Sequence, residues 1–247
     1  MTAQVNIAGV NIHYEKVGTG KKVVALLPGA LGTARSDFSH QLDGLNKDKF
    51  TLISWDPPGY GASRPPNRDF HDFYRKDAST FARMMDTLGY KKYSVIGWSD
   101  GGITGLILAA NYRENVERLV ALAANSYFSE EDKAMVTAVR DTEKWNPKFR
   151  QVFENIYGPE LFKQMWADIV DYWVKSSDIC SDDLSKIVCP TLIIQGDKDP
   201  LVAKEHPAFL ASKIKNSRVH MFVGGKHNVH QKFAKEFNEL VEKFILE

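Results

Sequence analysis

Short, nearly unbroken apolar runs alternate with helical patterns along most of this chain, and that alternation narrows its architecture more than any other feature. The central runs fall at residues 23–27, 51–55, 93–96, 119–122, 191–194 and 219–223. A strand with one wet face alternates apolar and polar side chains, whereas one covered on both faces does not. Between the runs, Tyr74, Ala78, Phe81, Met85 and Leu88 recur at helical spacing, as do Phe233, Phe237, Leu240, Val241 and Phe244. At the start, residues 5–7 and 11–14 flank a turn containing Gly9 and read as a hairpin. The pattern predicts an α/β fold: a mostly parallel eight-stranded sheet flanked by helices, opened by an antiparallel hairpin.

One stretch breaks the alternation. Residues 127–183 contain no good strand but carry Trp145, Tyr157 and Tyr172, with helical spacing at Phe162, Trp166, Ile169, Val170 and Trp173. It reads as a helical insertion that divides the core into residues 1–126 and 184–247. The insertion leaves the sheet after a strand end, which is where sites in open α/β sheets gather. That location favours a cap over a pocket, although the aromatics must also serve a buried layer.

Composition removes several classes of function. The 247 residues are 43% hydrophobic and 26% charged, the values of an ordinary globular protein. Lys and Arg number 32 against 31 Asp and Glu, so no basic excess points to nucleic acid. The two cysteines, Cys180 and Cys189, are too few for a disulfide framework and read as reduced packing residues. No apolar run nears the ~18 residues of a membrane span. The first residues lack the pattern of a targeting peptide, so an intracellular, cytoplasmic protein is expected.

Chemistry concentrates at Gly97-Trp98-Ser99-Asp100-Gly101. This G-x-S-x-G follows an apolar strand run and precedes an apolar helix, the setting a nucleophile elbow requires. Glycines suit so sharp a turn because a Cβ there would clash. A serine hydroxyl needs a base, and the base needs an orienting acid. Both should follow at later strand ends. Residues 191–194 run into a turn holding Asp197 and Asp199, and residues 219–223 run into Gly224-Gly225-Lys226-His227-Asn228. Of seven histidines, only His227 sits in a Gly-rich turn after a strand. His227 and His230 have an i,i+3 spacing without a third clustered ligand, so no metal is expected. Two backbone N–H groups must meet the developing oxyanion. One is expected from Asp100 and the other from the loop Pro28-Gly29-Ala30-Leu31-Gly32, at Ala30 or alternatively Leu31. Residues 55–63 read as a structural turn supporting the elbow.

Asp100 is unusual. A carboxylate beside an oxyanion site is electrostatically unhelpful unless a substrate cation neutralises it. A charge-assisted hydrogen bond to such a cation is worth about 1.5–3 kcal/mol. A favourable place at a helix N-terminus explains only ~0.3–1 kcal/mol.

Taken together, these motifs resemble the α/β-hydrolase superfamily over nearly the whole chain, from about Asn6 to Phe244. More narrowly they are similar to the biphenyl hydrolase-like, or valacyclovir hydrolase, family. The carrying segments are Leu26-Leu27-Pro28-Gly29, Trp55-Asp56-Pro57 with Gly59-Tyr60-Gly61, Ser63-Arg64-Pro65-Pro66, Gly97-Trp98-Ser99-Asp100-Gly101-Gly102-Ile103-Thr104, Lys198-Asp199-Pro200-Leu201-Val202 and Gly225-Lys226-His227-Asn228. The resemblance implies an α/β-hydrolase fold with a helical cap, and hydrolysis of α-amino acid esters, including ester prodrugs of nucleoside analogues. It implies a Ser99, Asp199 and His227 triad, with Asp100 selecting the substrate ammonium. It implies a small-molecule ester as partner, a monomer, no cofactor, and a mitochondrial location as an alternative to the cytoplasm. Pro58 stands where the superfamily usually has Arg in its Asp-x-Arg-Gly turn, which implies loss of that turn's salt link.

Two other functions fit the same residues less well. A C–C bond hydrolase of ring-cleavage products uses the same triad, but its anionic substrates would be repelled by Asp100. A non-catalytic receptor on this fold would not need the three catalytic residues. Haloalkane dehalogenases and epoxide hydrolases place Asp at the elbow, so Ser99 speaks against them.

Overall fold

Eight strands form a single sheet in the computed structural model, which describes residues 1–247. They are β1 (Thr2–Ile7), β2 (Val10–Val17), β3 (Lys22–Leu27), β4 (Phe50–Trp55), β5 (Tyr93–Trp98), β6 (Val116–Leu122), β7 (Thr191–Gly196) and β8 (Ser217–Phe222). Their spatial order is β1-β2-β4-β3-β5-β6-β7-β8. The β1–β2 and β2–β4 pairs are antiparallel and all others parallel, as the apolar runs and opening hairpin predict.

Helices cover both faces because successive side chains of a strand point in opposite directions. On one face, Val24, Leu26, Ile96 and Val120 pack with Phe38 and Leu42 of α1 (Ala34–Gly44). Val229 of the short α8 (Val229–Lys232) and Phe237, Val241 and Phe244 of α9 (Ala234–Leu246) complete that layer. On the other face, Ala25, Leu27, Val95 and Ala121 pack with α2 (Phe73–Thr87), α3 (Asp100–Asn111) and α7 (His206–Lys213).

Between β6 and β7 the chain runs through α4 (Glu130–Ala138), α5 (Pro147–Tyr157) and α6 (Pro159–Lys175). Ser129 and Asp132 form a reciprocal capping box at the start of α4, and Pro147 occupies the first turn of α5 behind the Asn146 cap. Gly158, at φ +77°, separates α5 from α6. The α6 stripe of Phe162, Trp166, Ile169, Val170 and Trp173 is buried. The Trp145 and Trp166 indoles both donate to Val139 O, at 2.8 and 2.9 Å. The segment leaves and returns at one place: Ile179 and Cys180 N–H both donate to Ser126 O. A buried pair ties α4 to α7, with His206 Nε2 2.7 Å from Asp132 Oδ2 and Ala203 N–H donating to Asp132 Oδ1. No helix is long and apolar enough to cross a membrane.

The turn at residues 55–63 is built around Asp56, whose carboxylate accepts from Ala34 and Ala62 N–H at 3.0 and 2.9 Å. It thereby fixes the start of α1. Pro58 brings no charge to this turn, which takes a guanidinium from elsewhere. That guanidinium comes from Arg68, which donates to Pro58 O at 2.8 Å and forms a two-armed pair with Asp77 at 2.9 and 2.6 Å. The same guanidinium lies over the Tyr60 and Phe73 rings, at 4.4 and 4.7 Å from their centroids. A planar fork can do both at once, and chain folding rather than local sequence brings it there.

Removing one member of such a buried pair strands the other charge. Arg68→Met is expected to lower unfolding free energy by about 3–5 kcal/mol in urea titration, and Arg68→Met with Asp77→Leu to recover most of it. A single-variant loss of only ~0–1 kcal/mol, the worth of an exposed pair, would contradict this placement.

Candidate active site

Ser99 sits between β5 and α3 at φ 55° and ψ −121°, a conformation that is strained for any residue with a Cβ. Its N–H donates to Leu122 O of β6 at 2.9 Å, and its carbonyl accepts from Gly102 and Ile103 N–H at 2.8 and 3.0 Å. The flanking glycines are required by contact. A Cβ on Gly97 would lie 2.2 Å from Gly101 O, and one on Gly101 would lie 2.0 Å from Leu27 O. The turn thus packs backbone against backbone and presents Ser99 at the carboxyl edge of the sheet.

His227 follows β8, and its Nδ1 lies 2.9 and 3.1 Å from the two Asp199 carboxylate oxygens. A carboxylate only accepts, so Nδ1 carries the proton and Nε2 is free to act as a base. Asp199 is nearly fully buried, and its Oδ1 also accepts from Leu201 and Val202 N–H at 2.9 and 3.1 Å. Asp197 is engaged elsewhere: it accepts from Gly224 N–H at 2.7 Å and joins the ends of β7 and β8. Geometry therefore pairs His227 with Asp199. Trp98, a residue sequence reasoning left without a role, anchors the histidine loop by donating from Nε1 to His227 O at 2.9 Å.

His230 does not share a ligand position with His227. Its ring is buried and donates from Nε2 to Asp37 O at 3.0 Å, and burial pushes its pKa down to about 3. Asp37 in turn holds the loop after β3: its Oδ2 accepts from Gly29 N–H at 2.8 Å. Burial pushes the Asp37 carboxyl up to about 7 against the bonds from Ser36 and Gly29. Within this loop Ala30 lines the same chamber as Ser99, whereas the Leu31 side chain is fully buried. Leu31 takes φ +56°, and its carbonyl accepts from Tyr157 Oη at 2.7 Å.

Ser99 and His227 open onto a chamber of about 490 Å³ whose walls include Trp98, Trp145, Phe149, Phe153, Trp166 and Trp173. Four of these six aromatics come from α5 and α6. A smaller recess beside it is lined by Ser99, His227, Asp100, Asn125, Phe128 and Trp173. Asp100 is only 6% exposed, and its Oδ1 accepts from Tyr74 Oη at 2.7 Å. Tyr74 Oη accepts from Trp173 Nε1 at 3.0 Å, so a chamber wall is wired to the carboxylate. Asp100 Oδ2 has no partner. Burial pushes the Asp100 carboxyl up to about 7, with the Tyr74 bond and the Arg68 charge opposing the rise. Sequence periodicity marked Tyr74 and Trp173 only as helix-face residues; nothing local announces that their polar tips meet at Asp100.

Chemically, the arrangement offers a hydroxyl at a helix N-terminus, an imidazole braced by a carboxylate, and a second carboxylate facing the same space. The first two are the parts of acyl transfer through a serine, and the second carboxylate is not required by that chemistry.

Comparison with known proteins agrees. The family described as alpha/beta hydrolase fold matches residues 22–173, more than half of the chain. The chain is 45% identical to serine hydrolase BPHL of Mus musculus over 250 residues, covering 99% of this chain and 86% of the mouse protein. Serine hydrolase BPHL of Homo sapiens is 43% identical over the same span and coverage. Among solved structures, a meta-cleavage product hydrolase from Pseudomonas fluorescens IP01 aligns with a TM-score of 0.80 at 20% identity, covering 98% of this chain and 96% of that one. The last likeness is one of fold. A strained serine turn, an ordered sheet of eight strands and relatives of this closeness lead to one assignment: the chain belongs to the α/β-hydrolase family and is a serine hydrolase.

Proposed function

We propose that the chain hydrolyses small carboxylic esters of α-amino acids, with Ser99 as nucleophile, His227 as general base and Asp199 as its orienting acid. The observation that carries the substrate class is Asp100, a buried carboxylate without an ion-pair partner on the recess that holds Ser99 and His227. An uncompensated buried charge is costly, and a substrate ammonium seated there removes the cost. In this reading the ester enters beneath the helices of residues 127–183, which act as a cap, and its leaving group occupies the aromatic chamber.

The steps follow from the parts. Ser99 Oγ attacks the ester carbonyl as His227 Nε2 takes its proton. The oxyanion rests on the N–H groups of Asp100 and Ala30, the latter chosen because Ala30 lines the chamber with Ser99. The imidazolium protonates the departing alcohol. Water, deprotonated by His227, then releases the amino acid from the acyl-enzyme. Asp199, already held by two backbone N–H groups, keeps Nδ1–H directed at itself throughout. The anionic substrates of C–C bond hydrolases would meet the Asp100 charge unfavourably.

Asp100→Asn should lower kcat/KM for an α-amino aryl ester by about 10–150-fold, the loss of one charge-assisted bond. The des-amino ester of equal size should change by less than about threefold. Steady-state kinetics on the matched pair checks this, and equal losses on both esters would overturn the ammonium role.

The ratio of kcat/KM for the two esters should also depend on pH in a fixed sense. Asp100 must be ionised, which fails as pH drops through about 7. The substrate amine must be charged, which fails above its own pKa near ~8. The amino preference is therefore expected to be greatest near neutrality and to fall on both sides; the absence of any amino preference at every pH would contradict an ionised Asp100 as receptor.

A further inference from the structure

Asp100 also borders a second, smaller recess that does not include Ser99. It has about 10 Å³ of room, and its walls bring together Trp55, Tyr60, Arg68, Asp77 and Asp100. Trp55 Nε1, Tyr60 Oη, Arg68 Nε and Asp100 Oδ2 are all buried without a hydrogen-bond partner. Buried polar atoms left unpaired are few in native proteins, so four of them on the walls of one recess call for a common partner. Three are donors and one is an acceptor. The other Arg68 nitrogens are already committed, to Asp77 and to Pro58 O, which leaves Nε. A cation would meet the Arg68 guanidinium here, and an anion would meet Asp77 and Asp100. A neutral molecule that both donates and accepts suits the walls, and the space is that of a single water bonded to two to four groups.

We propose that this recess is an internal water site, in which one water donates to Asp100 Oδ2 and accepts from two of Arg68 Nε, Tyr60 Oη and Trp55 Nε1. Through it Arg68 is a positioning residue that keeps Asp100 charged for its substrate. A hydrogen bond donated to a carboxylate favours the ionised form, which opposes the upward push of burial on Asp100. The ionisable groups facing Asp100 are Tyr74 and Asp77 of α2, Arg68 and Tyr60 of the preceding loop, Tyr172 of α6 and His227 after β8. Of these, Arg68 and Tyr60 contribute the unpaired donors on the recess wall. The water site stands on geometry alone, whereas its effect on selectivity rests on the amino-ester reading above.

A high-resolution crystal structure of the whole chain tests the site. Density at hydrogen-bond distance from Asp100 Oδ2 and from two of the three donors is expected. A recess without density, or Asp100 Oδ2 bonded directly to a protein donor, would overturn the site. Thr104 lines the recess, and Thr104→Ile should fill it and displace the water. The acid-side midpoint of the amino-over-des-amino ratio should then rise by about one pH unit, while the des-amino ester changes by less than about threefold. Tyr60→Phe removes one donor with little change in volume; it should shift the midpoint in the same direction, and it carries the test if Thr104→Ile fails to fold. An unmoved midpoint in a folded variant would overturn the charge-keeping role. Wild-type enzyme that shows the water but no amino preference would overturn the substrate reading and leave the water site standing.

Discussion

The contact on which the rest of the molecule depends is backbone on backbone: the turn at Gly97 and Gly101 pressed against the end of β3. No side chain fits between them, since a Cβ at Gly101 would stand 2.0 Å from Leu27 O. Because those two strand ends touch, the intervening Ser99 is forced into the left-handed region and its side chain is lifted above the sheet. The same approach brings the loop after β3, with Ala30, to the serine, and puts the N-terminus of α3 beneath it. The parallel sheet is what makes the contact possible. β3 and β5 are neighbours with their carboxyl ends on the same side.

Around this turn stand three buried carboxylates, each held in a different way. Asp199 faces His227 and is saturated with N–H donors. Asp37 is placed away from the reacting atoms and fixes Gly29 N–H, so it shapes the loop without meeting substrate. Asp100 keeps one oxygen on Tyr74 and leaves the other unpaired. Low dielectric makes each of these choices costly if left unbalanced. Only Asp100 borders the recess of Ser99 and His227 without an ion-pair partner in the chain, and that is the physical basis for reading it as a receptor for positive charge.

Much of this was legible before any coordinates. Strands buried on both faces betray themselves by continuous apolar runs, and the glycines of the elbow by their spacing about Ser99. His227 and the acidic turn of Asp197 and Asp199 follow from where strand ends must fall, and the family resemblance singles out Asp199. The illegible parts are those that depend on side chains meeting from distant elements. Arg68 supplies the guanidinium absent at Pro58, because folding lays the loop after the turn back over Tyr60. His206 reads as an ordinary polar residue in sequence, yet it is fully buried against Asp132 and joins α4 to α7. Trp98 and Trp173 look like core aromatics, and only their indole nitrogens reveal that one steadies the His227 loop and the other the Asp100 network. Periodicity reports which face a residue occupies; it carries no information about the partner its polar tip will find.

A pair of aryl phosphonate inactivators, identical except for an α-amino group, probes the serine and the charge beside it in one reaction. Second-order inactivation rates are compared, and the modified residue is located by peptide mass spectrometry. Both compounds are expected to label Ser99, with the amino compound faster by about 10–150-fold, the value of one charge-assisted bond. Equal rates, or label on any other residue, would contradict the account.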